Sequence, residues 1–323
     1  MSKKIAILTS GGDAPGMNNA VRAIVKYSKS KGIEPFVVLE GYKGLHAGNI
    51  VSPDQFDFDG AVSKGGTLIY SARFPEFKDP KVREEAKAQL EKKGIDSLVV
   101  IGGDGSYHGA QLLHEIGVKT IGLPGTIDND ITSSDFTIGY DTALNTIIDN
   151  VQRVRDTADS HNRAMIVEVM GHGSGDLALY SAMGTGAEIV STNEHTLTVD
   201  EIAAVIKEQM GKKGKRSAIA IVSEHIYPDL IKMQKEVEEK SGFVTRAMSF
   251  AHIQRGGAPT ALERVLATTM GIKAVDLLVE GKSGLALGLL NGKLTGTPIL
   301  EALALPRANR KDLAIKINKI NQA

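Results

Sequence analysis

The chain has 323 residues, and on a prior of roughly 150 residues per domain that length predicts about two domains. Apolar residues make up 42% and charged residues 24%, an ordinary balance for a globular protein, and the zero formal net charge offers no basic field for nucleic acid or a membrane surface. Cysteine is absent, which excludes disulfides and thiol catalysis, and aromatics at 5% with no tryptophan leave little for a base-stacking platform.

No apolar run is long enough to span a bilayer, and no signal-peptide pattern leads into the first apolar run, so a cytoplasmic location is expected. Residues 5–8 predict the first strand. Gly11-Gly12-Asp13 follow as a loop, then a helix with Val21, Ile24, Val25 and Ser28 at core spacing, closed by Gly32. A glycine pair between strand and helix can cradle phosphate, and it can equally be a plain turn. Residues 36–39 predict the next strand, and the poorly periodic residues 41–66 predict loops with short elements. Ser71-Ala72-Arg73-Phe74 then offers an arginine without a helical pattern. Such an arginine is usually solvated; aimed at a crevice it would neutralise a transferring phosphoryl group. Asp79-Pro80 starts a helix that points Val82, Ala86 and Leu90 inward and stops at Gly94.

Residues 98–130 carry the strongest signal. Leu98, Val99, Val100 and Ile101 run into Gly102-Gly103-Asp104-Gly105-Ser106; Thr120, Ile121, Gly122 and Leu123 run into Pro124-Gly125-Thr126-Ile127-Asp128-Asn129-Asp130. Two buried-type strands ending in loops of glycine and carboxylate predict a ligand crevice at the carboxyl ends of a parallel sheet. Glycines let a ligand approach the backbone, and Ser106 is expected to cap a helix whose N–H groups attract phosphate. A carboxylate inside a phosphate cradle needs a cation, and Mg²⁺ held by one or two carboxylates plus substrate phosphates fits Asp104; a tight turn alone is the plainer alternative. The i, i+2, i+4 spacing of Thr126, Asp128 and Asp130 puts all three on one side if the chain is extended, as base and orienting groups for phosphoryl transfer or as a solvated turn.

Further on, Ala143, Leu144, Ile147, Val151 and Val154 mark a long amphipathic helix. Residues 163–170 predict a strand, a helix begins near 175, and Asp200 is expected to cap a helix ending near Gly211. Residues 217–222 predict a strand before Glu224, 229–240 a helix, 244–250 a strand leading to His252 and Arg255, 261–279 a long helix, and 285–290 a final strand. Strand, loop and helix alternate throughout, which predicts an α/β protein, with a boundary near residue 139.

Several long motifs occur in order: residues 9–18 (Thr-Ser-Gly-Gly-Asp-Ala-Pro-Gly-Met-Asn), residues 71–77 (Ser-Ala-Arg-Phe-Pro-Glu-Phe), the two central loops, Val169-Met170-Gly171, and His252-Ile253-Gln254-Arg255-Gly256-Gly257. With these the chain resembles the bacterial ATP-dependent phosphofructokinases from near residue 3 to the last helix. The resemblance implies two similar Rossmann-like three-layer lobes with mostly parallel sheets and the active site in the cleft between them. It implies an ATP lobe of residues 1–139 plus 254–304 and a sugar lobe of residues 140–253 plus 305–323. The implied reaction moves the γ-phosphoryl of ATP to the 1-hydroxyl of fructose 6-phosphate.

By the same resemblance, ATP is held by Gly12, Arg73, Phe74, Gly103, Asp104, Gly105 and Ser106, with Mg²⁺ on Asp104. The sugar is held by Thr126, Ile127 and Asp128, by Met170, Gly171 and His172, and by Glu224, His252, Ile253, Gln254 and Arg255. Asp128 is the implied base, with Thr126 and Arg73 beside it in catalysis. Arg163 and Arg246 reach a neighbouring subunit's sugar 6-phosphate, so a homotetramer is implied. An effector pocket for ADP or phosphoenolpyruvate would use Arg22, Lys26, Arg155, Lys213 and Lys215 with Gly186, Ala187 and Glu188.

Departures from the family pattern also carry information. His172 stands where arginine is usual, exchanging a permanently charged fork for an imidazole. Gln55 stands where the effector pocket usually has arginine, and Lys26 where arginine is frequent. Pyrophosphate-using relatives carry aspartate and lysine where this chain has Gly105 and Gly125, which favours ATP. The rival readings are weak: the glycines around Asp104 miss the dinucleotide spacing by one residue, no P-loop occurs, and the scattered histidines suggest no zinc site.

Overall fold

The computed structural model describes residues 3–323. The chain opens with β1 (Lys4–Thr9), α1 (Met17–Ser30), β2 (Glu34–Val38), α2 (Gly41–Ala47) and β3 (Ile50–Val51). It continues through α3 (Pro80–Lys92), β4 (Ser97–Gly102), α4 (Asp104–Glu115), β5 (Lys119–Thr126), β6 (Ile138–Gly139) and α5 (Tyr140–His161). Next come β7 (Ala164–Val169), α6 (Asp176–Thr185), β8 (Ile189–Ser191), α7 (Val199–Ile206), β9 (Ala218–Ser223), α8 (Leu230–Ser241) and β10 (Thr245–Ser249). α9 (Ala261–Val279), β11 (Leu285–Leu290), β12 (Lys293–Pro298), α10 (Ile299–Ala304) and α11 (Lys311–Gln322) complete it. The chain divides into two compact units, the first holding the residues up to Ile127, Ile131–Thr142 and Arg255–Arg307, the second Asp128–Asp130, Ala143–Gln254 and Ala308–Ala323.

The first unit is built on an eight-stranded sheet in the order β12-β11-β5-β4-β1-β2-β3, with β6 paired to the end of β5. Its pairs are parallel except β2–β3 and β11–β12. β4 is buried at every residue, because helices cover both faces of a parallel sheet, and this is why it reads as an unbroken apolar run. Ala6, Leu8, Leu98 and Val100 face one core together with Tyr42, Leu90, Tyr107 and Leu113. α1 and α9 lie close because Gly271 has no side chain: a Cβ there would fall 2.9 Å from the Ala20 carbonyl oxygen. α3 starts where Asp79 and Pro80 predict, with the Asp79 carboxylate accepting from Lys81 N at 2.8 Å.

Residues 285–290 are not the final strand. β11 turns back through Asn291 (φ 50°) and Gly292 (φ 75°) to pair antiparallel with β12. Two residues in left-handed conformation match the twist of a tight hairpin, and the Asn-Gly pair is the local signal for it.

The second unit carries a four-stranded parallel sheet, β10-β7-β9-β8. Ala164, Ile166, Ala220 and Val222 pack against Ile202, Ile206, Met233 and Val237 of α7 and α8. α7 is capped by Thr198 rather than Asp200: the Thr198 hydroxyl accepts from Glu201 N while the Glu201 carboxylate accepts from Thr198 N. Asp200 lies two residues beyond the cap position, inside the first turn, and pairs with Lys240 instead. α11 docks on the sheet edge through buried Asn318, whose amide bonds Val190 N and O at 2.8 and 2.9 Å.

One buried acid in the first unit predicts a pH effect on stability. Glu263 lies in the first turn of α9, 1% exposed, and its Oε2 accepts from Thr142 N and Oγ1 at 3.3 Å each. Burial pushes its carboxyl from 4.5 up to about 7, against the lowering effect of bonds from Gly139 and Thr142. The folded chain therefore holds this proton more tightly than the unfolded chain, so the destabilisation is absent below about pH 4.5 and complete above about 7. Urea titrations of the wild type should lose about 3 kcal/mol across that window through this group, and Glu263→Gln should remove that loss. Equal pH slopes for the two proteins would refute the assignment.

Candidate active site

In the first unit, the carboxyl ends of β1, β4 and β5 present three loops side by side. Strands β1 and β4 are neighbours, yet the chain leaves them in opposite directions, toward β2 and toward β5. That is the switch point at which open α/β sheets bind ligands. Gly102 makes the close approach there: a Cβ would fall 2.4 Å from both the Ser10 carbonyl oxygen and Ser106 Oγ. α4 begins at Asp104; Ser106 N and Tyr107 N donate to Gly103 O at 2.9 and 3.0 Å, which leaves the N–H groups of Asp104 and Gly105 at the helix start, where an anion is favoured. The helix is capped by Gly103 with no side-chain bond; Ser106 sits inside the first turn, where its hydroxyl cannot serve as N-cap. A Cβ on Gly105 would meet nothing within 4 Å, whereas one on Gly125 would fall 2.9 Å from Ile101 Cγ2 and Met17 Cε.

The glycine loop after β1 is held from two sides. Thr9 Oγ1 donates to Tyr70 O at 2.8 Å, and Ser71 Oγ donates to Gly11 O at 2.7 Å. Arg255 lies on Gly12 so closely that a Cβ there would fall 1.6 Å from Nη2, and its Nε sits 3.5 Å from Asp13 Oδ1. Thus an arginine that the resemblance assigns to the sugar rests on a loop that the resemblance assigns to the nucleotide. Arg73 is exposed, and Phe74 tilts against His46 and Phe77.

Two supporting residues escaped the sequence reading. Tyr42, buried and stacked on Phe77 at 4.2 Å, donates its hydroxyl to Ser106 O at 2.6 Å and so braces the first turn of α4. Its setting in residues 41–66 has no periodic pattern to announce it. Arg307 Nη2 stands 3.9 Å from Asp104 Oδ2, joining residues 203 apart in sequence. Asp104 is the only carboxylate in the Gly102–Ser106 turn, and no cluster of three metal-ligating side chains occurs among the described residues. This donor set suits Mg²⁺ that arrives on phosphates rather than a cation caged by protein.

Thr126 ends β5 and Ile127 is buried beside it; Thr137 Oγ1 donates to Thr126 O at 2.6 Å. The extended i, i+2, i+4 arrangement of Thr126, Asp128 and Asp130 is not adopted. The strand stops at Thr126, residues 127–128 turn, and Asn129 takes a left-handed φ of 51°. Asx-type residues favour such local turns over continued extension.

In the second unit, the carboxyl ends of β7, β9 and β10 bring together residues widely spaced in sequence. Gly171 N and His172 N donate to Glu224 Oε1 at 3.1 and 2.8 Å, and Met170 N donates to Gln254 Oε1 at 2.9 Å. Glu224 therefore shapes the Met170–Gly171–His172 turn, in which His172 holds a left-handed φ of 54°. His172, His252 and Ile253 are exposed. Arg163 precedes β7 and Arg246 is the second residue of β10, where it pairs with Glu238 at 3.2 Å. Both arginines lie at the amino ends of the strands. At about 3.3 Å per residue, Arg163 is roughly 20 Å from Met170.

The effector candidates form two groups. In the first unit Lys26 and Arg22 both bind Asp59, which holds that carboxyl below its usual range; no local pattern in the sequence marks Asp59 as their partner. In the second unit Glu188 is 2% exposed and contacts Arg155 and Lys215 at 3.3 Å each, while Arg155 also donates to Gly186 O at 3.4 Å. Lys213 donates to Ala323 O at 3.0 Å, and Ala187 O accepts from Asn321 at 2.7 Å.

Residues 4–278 match the family model described as Phosphofructokinase. The chain belongs to the phosphofructokinase family. It is 58% identical over its full length to the full-length ATP-dependent 6-phosphofructokinase of Mycoplasma mobile, and 57% identical, again with both chains fully covered, to that of Mycoplasmopsis pulmonis. Among solved structures, phosphofructokinase from Saccharomyces cerevisiae aligns with a TM-score of 0.87 at 35% identity, covering 99% of this chain. This chain spans 47% of that yeast chain. A pyrophosphate-dependent phosphofructokinase from Marinobacter aquaeolei shares the fold alone, with a TM-score of 0.81 at 16% identity over 99% of this chain and 92% of that one.

Proposed function

We infer that this chain transfers the γ-phosphoryl group of ATP to the 1-hydroxyl of fructose 6-phosphate, a phosphorylation in glycolysis, in the cytoplasm. The observation that carries this reading is its full-length 58% identity to a protein named for that activity. The open space at Gly105 supports a nucleotide donor, since a long polyphosphate can lie along the helix start. A coupled assay should show turnover with ATP and none with pyrophosphate. Turnover with pyrophosphate alone would overturn the donor assignment.

The residues then divide the work. Gly12, Gly103, Gly105 and Ser106 offer backbone and hydroxyl groups to the phosphates, and Phe74 offers an apolar edge beside the nucleotide. Asp104 would hold Mg²⁺ on the phosphates, which supplies charge neutralisation. Asp128 accepts the proton of the sugar 1-hydroxyl; that oxygen bonds to the γ-phosphorus as the bond to the β–γ bridging oxygen breaks and ADP leaves. Thr126 orients the hydroxyl, and Arg73 neutralises the charge on the transferring group. Ile127, Met170, Gly171, His172, Glu224, His252, Ile253, Gln254 and Arg255 shape the sugar site. The exposed imidazole at 172 is a weaker clamp than an arginine fork.

Arg163 and Arg246 serve the sugar phosphate of another subunit. What supports this is their place at the strand ends opposite the Met170–Gly171–His172 turn, too far for an arginine side chain to span. A homotetramer therefore completes its own sites, and an effector pocket for ADP or phosphoenolpyruvate between its subunits would draw on the Arg22 and Lys26 side chains and, separately, on Arg155, Lys213 and Lys215. Arg246→Ala should raise the fructose 6-phosphate KM at least tenfold while leaving the ATP KM within about twofold, a loss of roughly 1.4 kcal/mol or more on one substrate. Mixing Arg246→Ala subunits with Asp128→Asn subunits should restore part of the activity that each lacks. Mixtures no more active than the sum of the two variants would place the arginine in its own subunit's chemistry.

A further inference from the structure

The catalytic loop has an anchor in the C-terminal segment. Asp176, the first residue of α6, is only 5% exposed and carries three contacts. Its Oδ1 accepts from Arg310 Nε at 3.0 Å; its Oδ2 accepts from Arg310 Nη2 at 3.5 Å and from Asn129 Nδ2 at 3.1 Å. Asn129 is the neighbour of Asp128 and holds the left-handed φ of 51°. The Arg310 guanidinium also lies 5.7 Å from the centre of the Tyr180 ring, one turn further along α6. A buried carboxylate needs such partners, and a planar fork can bond both of its oxygens and rest on a ring as an ammonium cannot. Arg310 is itself placed by α11, which it precedes and which is locked to β8 through Asn318.

We propose that Arg310 is a positioning residue for the reaction: through Asp176 it fixes Asn129 in its left-handed turn and so sets the backbone from which Asp128 reaches the sugar hydroxyl. The proposal rests on the reading of Asp128 as the base. Asparagine tolerates the left-handed region but does not require it, so the turn depends on its side-chain tether. Released, the loop can return to ordinary backbone angles and carry Asp128 off line. Misplacing a reacting group by about 1 Å can cost on the order of 100-fold in rate.

The test measures kcat and both KM values for Arg310→Met, Arg310→Lys and Asn129→Gly, with Asp128→Asn alongside and thermal melting as a control. Arg310→Met should lower kcat by about 10- to 100-fold with both KM values within about threefold, and Arg310→Lys should recover part of that loss. Asn129→Gly keeps the backbone angle accessible, leaves the buried Asp176–Arg310 pair in place and removes the bond from Asn129 to Asp176, so it should lose kcat in the same way. If Arg310→Met fails to fold, Asn129→Gly decides. Wild-type kcat in Asn129→Gly, or in a folded Arg310→Met, together with an inactive Asp128→Asn, overturns the tether and leaves the base reading intact. Wild-type kcat in Asp128→Asn overturns the base reading and this inference with it. A fall in kcat that only tracks a lower melting temperature, with no rescue by lysine, reduces Arg310 to a structural role and also overturns the proposal.

Discussion

Asp128→Asn should lower kcat by about 10²- to 10⁴-fold and kcat/KM for fructose 6-phosphate by the same factor, with the ATP KM within a few-fold of wild type. The amide has nearly the shape of the carboxylate but cannot accept the hydroxyl proton, so the lost interaction is one made in the transition state. Asp128 follows the end of β5 by two residues and lies in a turn, and its Oδ1 is shut off from solvent. Melting temperature serves as the control, since a neutral isostere leaves the turn with similar bonding capacity. A variant that keeps a tenth or more of wild-type kcat would show that proton removal is not the task of this residue.

Gly105→Asp should fold like the wild type and bind ATP more weakly. The position is the second residue of α4, and a Cβ there meets nothing within 4 Å, so the new side chain has room. It would place a second carboxylate beside Asp104 where phosphate oxygens are expected. A unit charge at about 4 Å repels by about 1 kcal/mol in water and about 4 kcal/mol at an effective dielectric of 20, which is roughly 5- to 1,000-fold in ATP KM. Steady-state kinetics with ATP and pyrophosphate as alternative donors reads this directly. Gly102→Asp supplies the contrast: there a Cβ falls 2.4 Å from the Ser10 carbonyl oxygen, so that variant should fail by misfolding. An unchanged ATP KM in a folded Gly105→Asp would remove this turn from the nucleotide site.

The parts of this fold that were legible in the sequence are those that local forces decide. β4 shows as an apolar run because both sheet faces are covered, and α9 and β11 occupy the predicted residues because apolar residues recur through the nineteen residues of the one and make up most of the other. The start of α3 was legible because a cap acts over two residues. Local reading failed where two local signals competed. Asp200 looks as good a cap as Thr198 until the backbone selects one, and the apolar run of residues 285–290 outweighs the less apolar strand that the Asn-Gly turn pairs with it.

The sequence by itself determined the α/β grammar, the family, and the residue types at the strand tips, since glycine, carboxylate and arginine declare their chemistry wherever they fall. Only the tertiary structure decided what each of them touches. Arg255 rests against Asp13 from 242 positions away, and Asp176 binds Asn129 and Arg310 from 47 and 134 positions away. Contacts of that span leave no periodic trace, because they arise from strand order and helix docking rather than from the angles of neighbouring residues. The interleaving of the two units has the same cause: chain return is set by which core can bury a segment, and apolar patterning is alike in both.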